Sequence, residues 1–164
     1  MKTKITEDLK KALLSQDTLR TSTLRMLLAA IVNKEKEKRY KMSKEKPNLA
    51  QEELAEESEL EDQELLNVVV SEAKKHKESI AAFQKGNRQD LVEKETKEME
   101  ILVQYLPPQI SEEEIKKLVQ EAIASTGAAG AQDTGKVMAA VMPKVKGKAD
   151  GSVVSRIVKE FLSS

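Results

Sequence analysis

The sequence contains no cysteine and no tryptophan, and only two tyrosines and two phenylalanines in 164 residues. Without thiols there is no disulfide scaffold, no cysteine nucleophile, no thiolate zinc site and no cysteine-ligated iron–sulfur cluster. So few aromatic rings argue against a platform on which splayed nucleotide bases could stack. Long apolar runs are missing too. The longest, Met26 to Val32 and Val137 to Pro143, have seven residues each, against roughly 20 for a bilayer span. The opening MKTKITEDLKK is polar and has no secretory apolar core. A soluble cytoplasmic protein without a membrane partner is expected.

The 28 basic and 28 acidic side chains cancel, but they are segregated along the chain. Residues 1–49 carry 13 basic and 6 acidic groups, whereas residues 50–66 carry eight acidic groups and no basic one. A second basic concentration lies between Lys136 and Lys159, where six cations face the single Asp150. The acidic block is expected to solvate a helix face rather than to mask the basic segment.

The apolar residues recur at helical spacing throughout, and no stretch keeps the alternation of a strand, so an all-α fold is expected. Ile5, Leu9, Ala12 and Leu13 predict a first helix over about 3–15, and Asp17 stands where a second needs its N-cap. In that second helix Leu24, Leu27, Leu28 and Ile31 form a stripe that Met26, Ala29, Ala30 and Val32 widen to almost the whole circumference. Such a helix is expected at the centre of a bundle. Its continuation KEKEKRYK is charged all round and is expected to project past the core. After the break at Pro47, Asp62 is expected to cap a helix buried through Leu65, Leu66, Val68, Val69, Ala73 and Ile80. Gly86 and Asn87, in KGNR, both tolerate a left-handed backbone. Val92, Met99, Val103 and Leu106 then form a stripe, with Leu91, Leu102 and Tyr105 beside it. Pro107 and Pro108 end that helix, since neither donates a backbone hydrogen bond.

The two prolines suggest an N-terminal helical domain over 1–108 and a C-terminal domain of three short helices over 109–164. In the latter, Ser111 and Glu114 make a capping-box pair. Asp133 is expected to open a short helix that Pro143 closes, and Asp150 to cap the last one.

The sequence carries little recognisable chemistry. Gly130, Gly135 and Lys136 reproduce part of a phosphate-binding loop, but Val137 replaces the hydroxyl residue and no buried strand precedes it. His76, the single histidine, lies among Lys74, Lys75 and Lys77 with no companion ligand at metal-site spacing, and reads as an exposed residue. The pairs Glu52/Glu56 and Glu53/Glu57 share one watery environment, which cannot separate two carboxylates into acid and base. No G-x-S-x-G turn is present. No catalytic residue, no metal site and no cofactor is expected. What remains is the cluster Lys136, Lys144, Lys146, Lys148, Arg156 and Lys159, with Gly147 and Gly151 on the turns. Glycines let a surface approach a phosphate backbone closely while lysines supply the charge.

The stretch GKVMAAVMPKVKGKADGSVVSRIVKEFL at 135–162 closely resembles the C-terminal domain of the YqeY family. It is less closely similar to the tail domain of the B subunit of glutamyl/aspartyl-tRNA amidotransferase. LRTSTLRMLLAAIVNKE at 19–35, ESIAAFQKGNRQDLVEKE at 78–95 and ILVQYLPPQISEEEI at 101–115 extend the resemblance to nearly the whole chain. Asn87 stands where the family has glycine. The resemblance implies an all-helical protein whose tail is related to one that recognises tRNA, with Lys146, Gly147, Lys148 and Ala149 on the shared KGKA segment. Nothing here resembles the amidotransferase's ATP-binding core or its glutaminase.

The expected function is therefore that of a non-catalytic accessory protein that binds tRNA or a tRNA-handling enzyme. Lys136, Lys144, Lys146, Gly147, Lys148 and Arg156 form its RNA-contacting set. Two other classes compete with it. One is a helical protein-interaction module without RNA binding, and the other a carbon–nitrogen ligase using glutamine as amido donor, which the tail resemblance alone suggests.

Overall fold

The computed structural model describes residues 1–163, which are 79% helical and contain no strand. The all-α expectation holds. The chain divides into two compact units, Met1–Tyr105 and Leu106–Ser164.

In the first unit α1 (Lys2–Leu14) and α2 (Thr18–Glu45) form a hairpin. Its turn places Gln16 at φ 56°, and the Asp17 amide donates to the Ala12 carbonyl at 3.0 Å. Asp17 caps α2 as expected, its Oδ1 accepting from the Arg20 amide at 2.9 Å. A short α3 (Gln51–Glu57) follows, and then a second hairpin of α4 (Asp62–Lys85) and α5 (Gln89–Val103). Asn87 turns that hairpin at φ 53°, whereas Gly86 keeps a negative φ, so the asparagine carries the left-handed position. The helix α4 starts at the expected place, with Glu61 rather than Asp62 as its N-cap.

Ile5, Leu24, Leu27, Ile31, Val69 and Leu102 are fully enclosed and knit the two hairpins together. As expected of a central helix, α2 packs on α1, α3, α4 and α5, but it is not buried around its circumference, since Met26 is 59% and Val32 40% exposed. Thr21 and Thr23 are buried instead. A threonine hydroxyl survives burial by bonding back to its own helix, as Thr23 Oγ1 does to the Leu19 carbonyl at 2.9 Å. The buried line runs through Val92 and Leu102 of α5 to Tyr105 just beyond it, and Val103 is turned toward solvent.

The charged end of α2 does not project freely. Lys38 Nζ donates to Glu64 Oε2 at 2.7 Å and to the Glu59 carbonyl at 3.0 Å, and Lys46 Nζ to Glu57 Oε2 at 2.5 Å. Arg39 Nε reaches the buried Ser58 hydroxyl at 3.1 Å. Two carboxylates of the acidic block over 50–66, Glu57 and Glu64, are thus tied to the basic helix, while seven of its eight acidic side chains stay exposed as the expected solvated face.

The second unit packs α6 (Glu112–Thr126), α7 (Thr134–Val145) and α8 (Gly151–Leu162) around Val119, Val137, Val141, Val154 and Ile157. Ser111 and Glu114 form the expected capping box, and Asp150 Oδ1 accepts from the Ser152 amide at 2.8 Å. Pro143 does not close its helix, which continues to Val145. In the last turn a proline forfeits one backbone bond, while continuation buries Val145 against the core.

Candidate functional site

The segment Lys146–Ala149 is the turn that joins α7 to α8. Once α7 has ended on the buried Val145, the amides of Lys148 and Ala149 both donate back to its carbonyl, at 2.8 and 3.0 Å. The chain closes this turn at Gly147, with φ 74°, a left-handed conformation that penalises a β-carbon. The turn is pinned from its inner side as well. Gln109 Nε2 donates to the Gly147 carbonyl at 2.7 Å, and the Ile110 amide to the Lys148 carbonyl at 2.9 Å. Gly147 is buried as a result, and Lys146 and Lys148 stand exposed on either side of it.

The cluster residues differ in what holds them. Lys144 Nζ lies 3.5 Å from Glu121 on α6, and Lys136 Nζ lies 3.3 Å from Asp133. Arg156 donates to Glu112 at 2.8 Å and to Glu160 at 3.0 Å, and these carboxylates, Glu160 foremost, raise its pKa further. Asp133 is held below the usual carboxylate range, chiefly by the Ala129 amide and then by Lys136. Among the described residues, Lys146 and Lys148 have no carboxylate within ion-pair distance. Three of the lysines, Lys144, Lys146 and Lys148, gather at the C-terminal end of α7. Lys136 lies in the first turn of that helix, about 12 Å away along the axis.

Gly130 and Gly135 do not cradle an anion together. Gly130 precedes a single 3-10 turn, Ala131–Asp133, and Gly135 lies inside α7.

His76 is not the exposed residue the surrounding lysines suggest. Its side chain is only 13% exposed, and its Nδ1 lies 2.7 Å from Glu95 Oε2 and 3.8 Å from Glu98 Oε2, both on α5. No pattern within α4 announces partners that lie 19 or more residues further on. Gln109 and Ile110, which hold the lysine turn, were equally invisible. They follow the two prolines, and only folding sets them beside Gly147.

An all-helical chain of two compact units, with a pinned lysine turn in the smaller one, is the class these observations define. The family model described as Yqey-like protein matches residues 2–48 and 42–162, and the chain belongs to this YqeY-like family. The protein "Altered inheritance of mitochondria protein 41, mitochondrial" of Pyrenophora tritici-repentis is 30% identical over 160 residues, 96% of this chain and 78% of that protein. Its namesake in Kluyveromyces lactis is 38% identical over 117 residues, 70% of this chain and 54% of that protein. That of Lachancea thermotolerans is 37% identical over 111 residues, 66% and 50% of the two chains. The chain thus spans about half the length of these last two relatives. Family and relatives support an accessory role. They overturn the expectation of a cytoplasmic protein, since the relatives are named as mitochondrial. Among the described residues no helix is long and apolar enough to cross a membrane.

Proposed function

We propose that this YqeY-like protein is a non-catalytic accessory factor that docks on the phosphate backbone of a structured RNA, of which tRNA is the first candidate. The relatives' names bring a mitochondrial setting with them. The observation that carries the reading is the turn around Gly147: two exposed lysines without carboxylate partners flank a glycine whose backbone is fixed by Gln109 and Ile110. A rigid turn loses little entropy on binding, and free ammonium groups exchange condensed counterions for phosphates. Lys144 is next to it, and Lys136 and Arg156 would have to exchange their carboxylates for RNA.

The test is fluorescence anisotropy of the nuclease-treated protein with bulk tRNA across a salt series, with duplex DNA as control. Saturable binding that prefers tRNA is expected. The double substitution K146A/K148A is expected to weaken it about tenfold or more and to lower the salt slope by about 1 to 2, whereas K136A leaves it nearly unchanged. Equal affinity of the double variant and the unsubstituted chain would reject the assignment.

One observation favours a second reading, a helical protein-interaction module. An open groove of about 950 Å³ between α2 and α4 carries the exposed Met26, with Ala29, Ala30 and Val68 along its floor. A protein partner retained through nuclease treatment, with tRNA binding absent at low salt, would move the function to that groove.

A further inference from the structure

The pairing of α4 with α5 is the most extensive between any two helices of the first unit, and it encloses a group of side chains that the lysine turn does not involve. Glu95 and Glu98 are three residues apart on α5, so both carboxylates lie on one face of that helix. His76 faces them from α4. One ligand atom from each of the three falls within 4.8 Å of the other two. The His76–Glu95 contact is 2.7 Å and the His76–Glu98 contact 3.8 Å, and the three side chains are 13, 19 and 9% exposed.

The electrostatics of the group are unbalanced. Two carboxylates have been brought into a largely dry seam, and among the described residues the imidazole of His76 is the nitrogen that contacts both. Glu98, the most enclosed, has in addition only Lys94, at 3.8 Å from its other oxygen and itself mostly exposed. Buried carboxylates are stabilised by a cation or a metal. Of the neighbouring cations on α4, Lys75 bonds Glu72 at 2.6 Å and Lys74 lies 3.7 Å from Glu78.

We infer that His76, Glu95 and Glu98 form a binding site for one divalent ion of the zinc class, which clips α4 to α5. The donor set selects the ion. One imidazole nitrogen with two carboxylate oxygens suits a borderline ion such as Zn²⁺, whereas Ca²⁺ and Mg²⁺ take oxygen ligands alone. Tetrahedral bonds of about 2.0–2.2 Å set ligand atoms roughly 3.3 Å apart. That value lies between the two contacts His76 makes, and the ligand atoms of the two carboxylates start within 4.8 Å of each other. Three protein ligands leave a fourth position for water. The ion takes the place of the hydrogen bond between His76 Nδ1 and Glu95, the neutral ring carrying its one proton on Nε2. This inference is independent of the RNA reading, whose residues lie in the other unit.

The composition makes the test unambiguous, because His76 is the only histidine and there is no cysteine. The full chain, stripped with a chelator, is titrated with Zn²⁺ while the imidazole ring resonances are followed by NMR and the stoichiometry by calorimetry. One equivalent is expected to move the His76 ring signals and to raise the melting temperature. H76Q and E98Q are each expected to lower affinity at least tenfold, E95Q acting as substitute where E98Q does not fold. E93Q, on an exposed position of the same helix, is expected to bind as the unsubstituted chain does. Ring signals unmoved by Zn²⁺, or affinity unaltered in both H76Q and a glutamate variant, would overturn the site. An equal response to Mg²⁺ would overturn the zinc-class assignment.

Discussion

Tyr105, at the end of the first unit, donates its hydroxyl to Asp8 Oδ2 at 2.9 Å, closing 97 residues of chain onto the first helix. The ring is buried, Lys4 Nζ sits 5.7 Å from its centroid, and Arg20 bonds Gln104 beside it at 2.8 Å. Three helices meet at this clasp.

Replacing the tyrosine by phenylalanine keeps the buried ring and removes the bond to Asp8. Y105F is expected to lower stability by about 1–3 kcal/mol in urea unfolding, because a charged acceptor loses its donor. The pH dependence has two limbs. Asp8 is held below its ordinary 3.8, first by the Tyr105 hydrogen bond. Its contribution is therefore present above that value and is lost as pH falls through the lower, folded pKa. Tyr105 is pushed from 10.0 up to about 12 by burial and then by Asp8. Its contribution is complete below pH 10 and is lost as pH rises toward 12. Y105F is expected to lose the alkaline limb and to flatten the acid one, and unchanged profiles at both ends would show that the clasp contributes nothing.

Lys38 holds the acidic segment by two acceptors, Glu64 and the Glu59 carbonyl. Both partners are partly exposed, so K38M is expected to cost only about 1 kcal/mol globally. Its local effect is larger. Amide exchange over 58–64 is expected to accelerate severalfold while the α4–α5 amides keep their protection. Glu64, held low mainly by the Lys38 hydrogen bond, is expected to titrate higher in K38M, which NMR of its carboxyl carbon reads directly.

Gly147 tests whether the lysine turn is pre-shaped. An alanine at φ 74° carries a left-handed penalty of about 1–2 kcal/mol, and relief requires opening the turn. G147A is expected to speed amide exchange at Ile110 and to weaken tRNA binding although no charge is removed. Wild-type affinity with wild-type exchange would show that the shape of the turn is immaterial.

How much was legible depended on the range of each interaction. Asp17, Ser111 with Glu114, and Asp150 announced their helices because a cap bonds an amide two or three residues away, and a stripe of leucines and valines at helical spacing identifies its buried face without reference to a partner. Such reasoning failed at Met26 and Val32, which carry the right residue types for burial on a helix whose neighbours leave that side open. It failed at Pro143 too, where a local rule against helix continuation was outweighed by the burial of Val145.

The sequence by itself determined the all-α class, the places where helices start, and the charge segregation, since these follow from composition and from contacts along one turn of backbone. Folding alone decided that Glu64 and Glu57 pair with Lys38 and Lys46, that Gln109 and Ile110 shape the lysine turn, and that His76 faces Glu95 and Glu98. Each of those is a pairing between separate segments, and its partners are chosen by packing the helices as a whole.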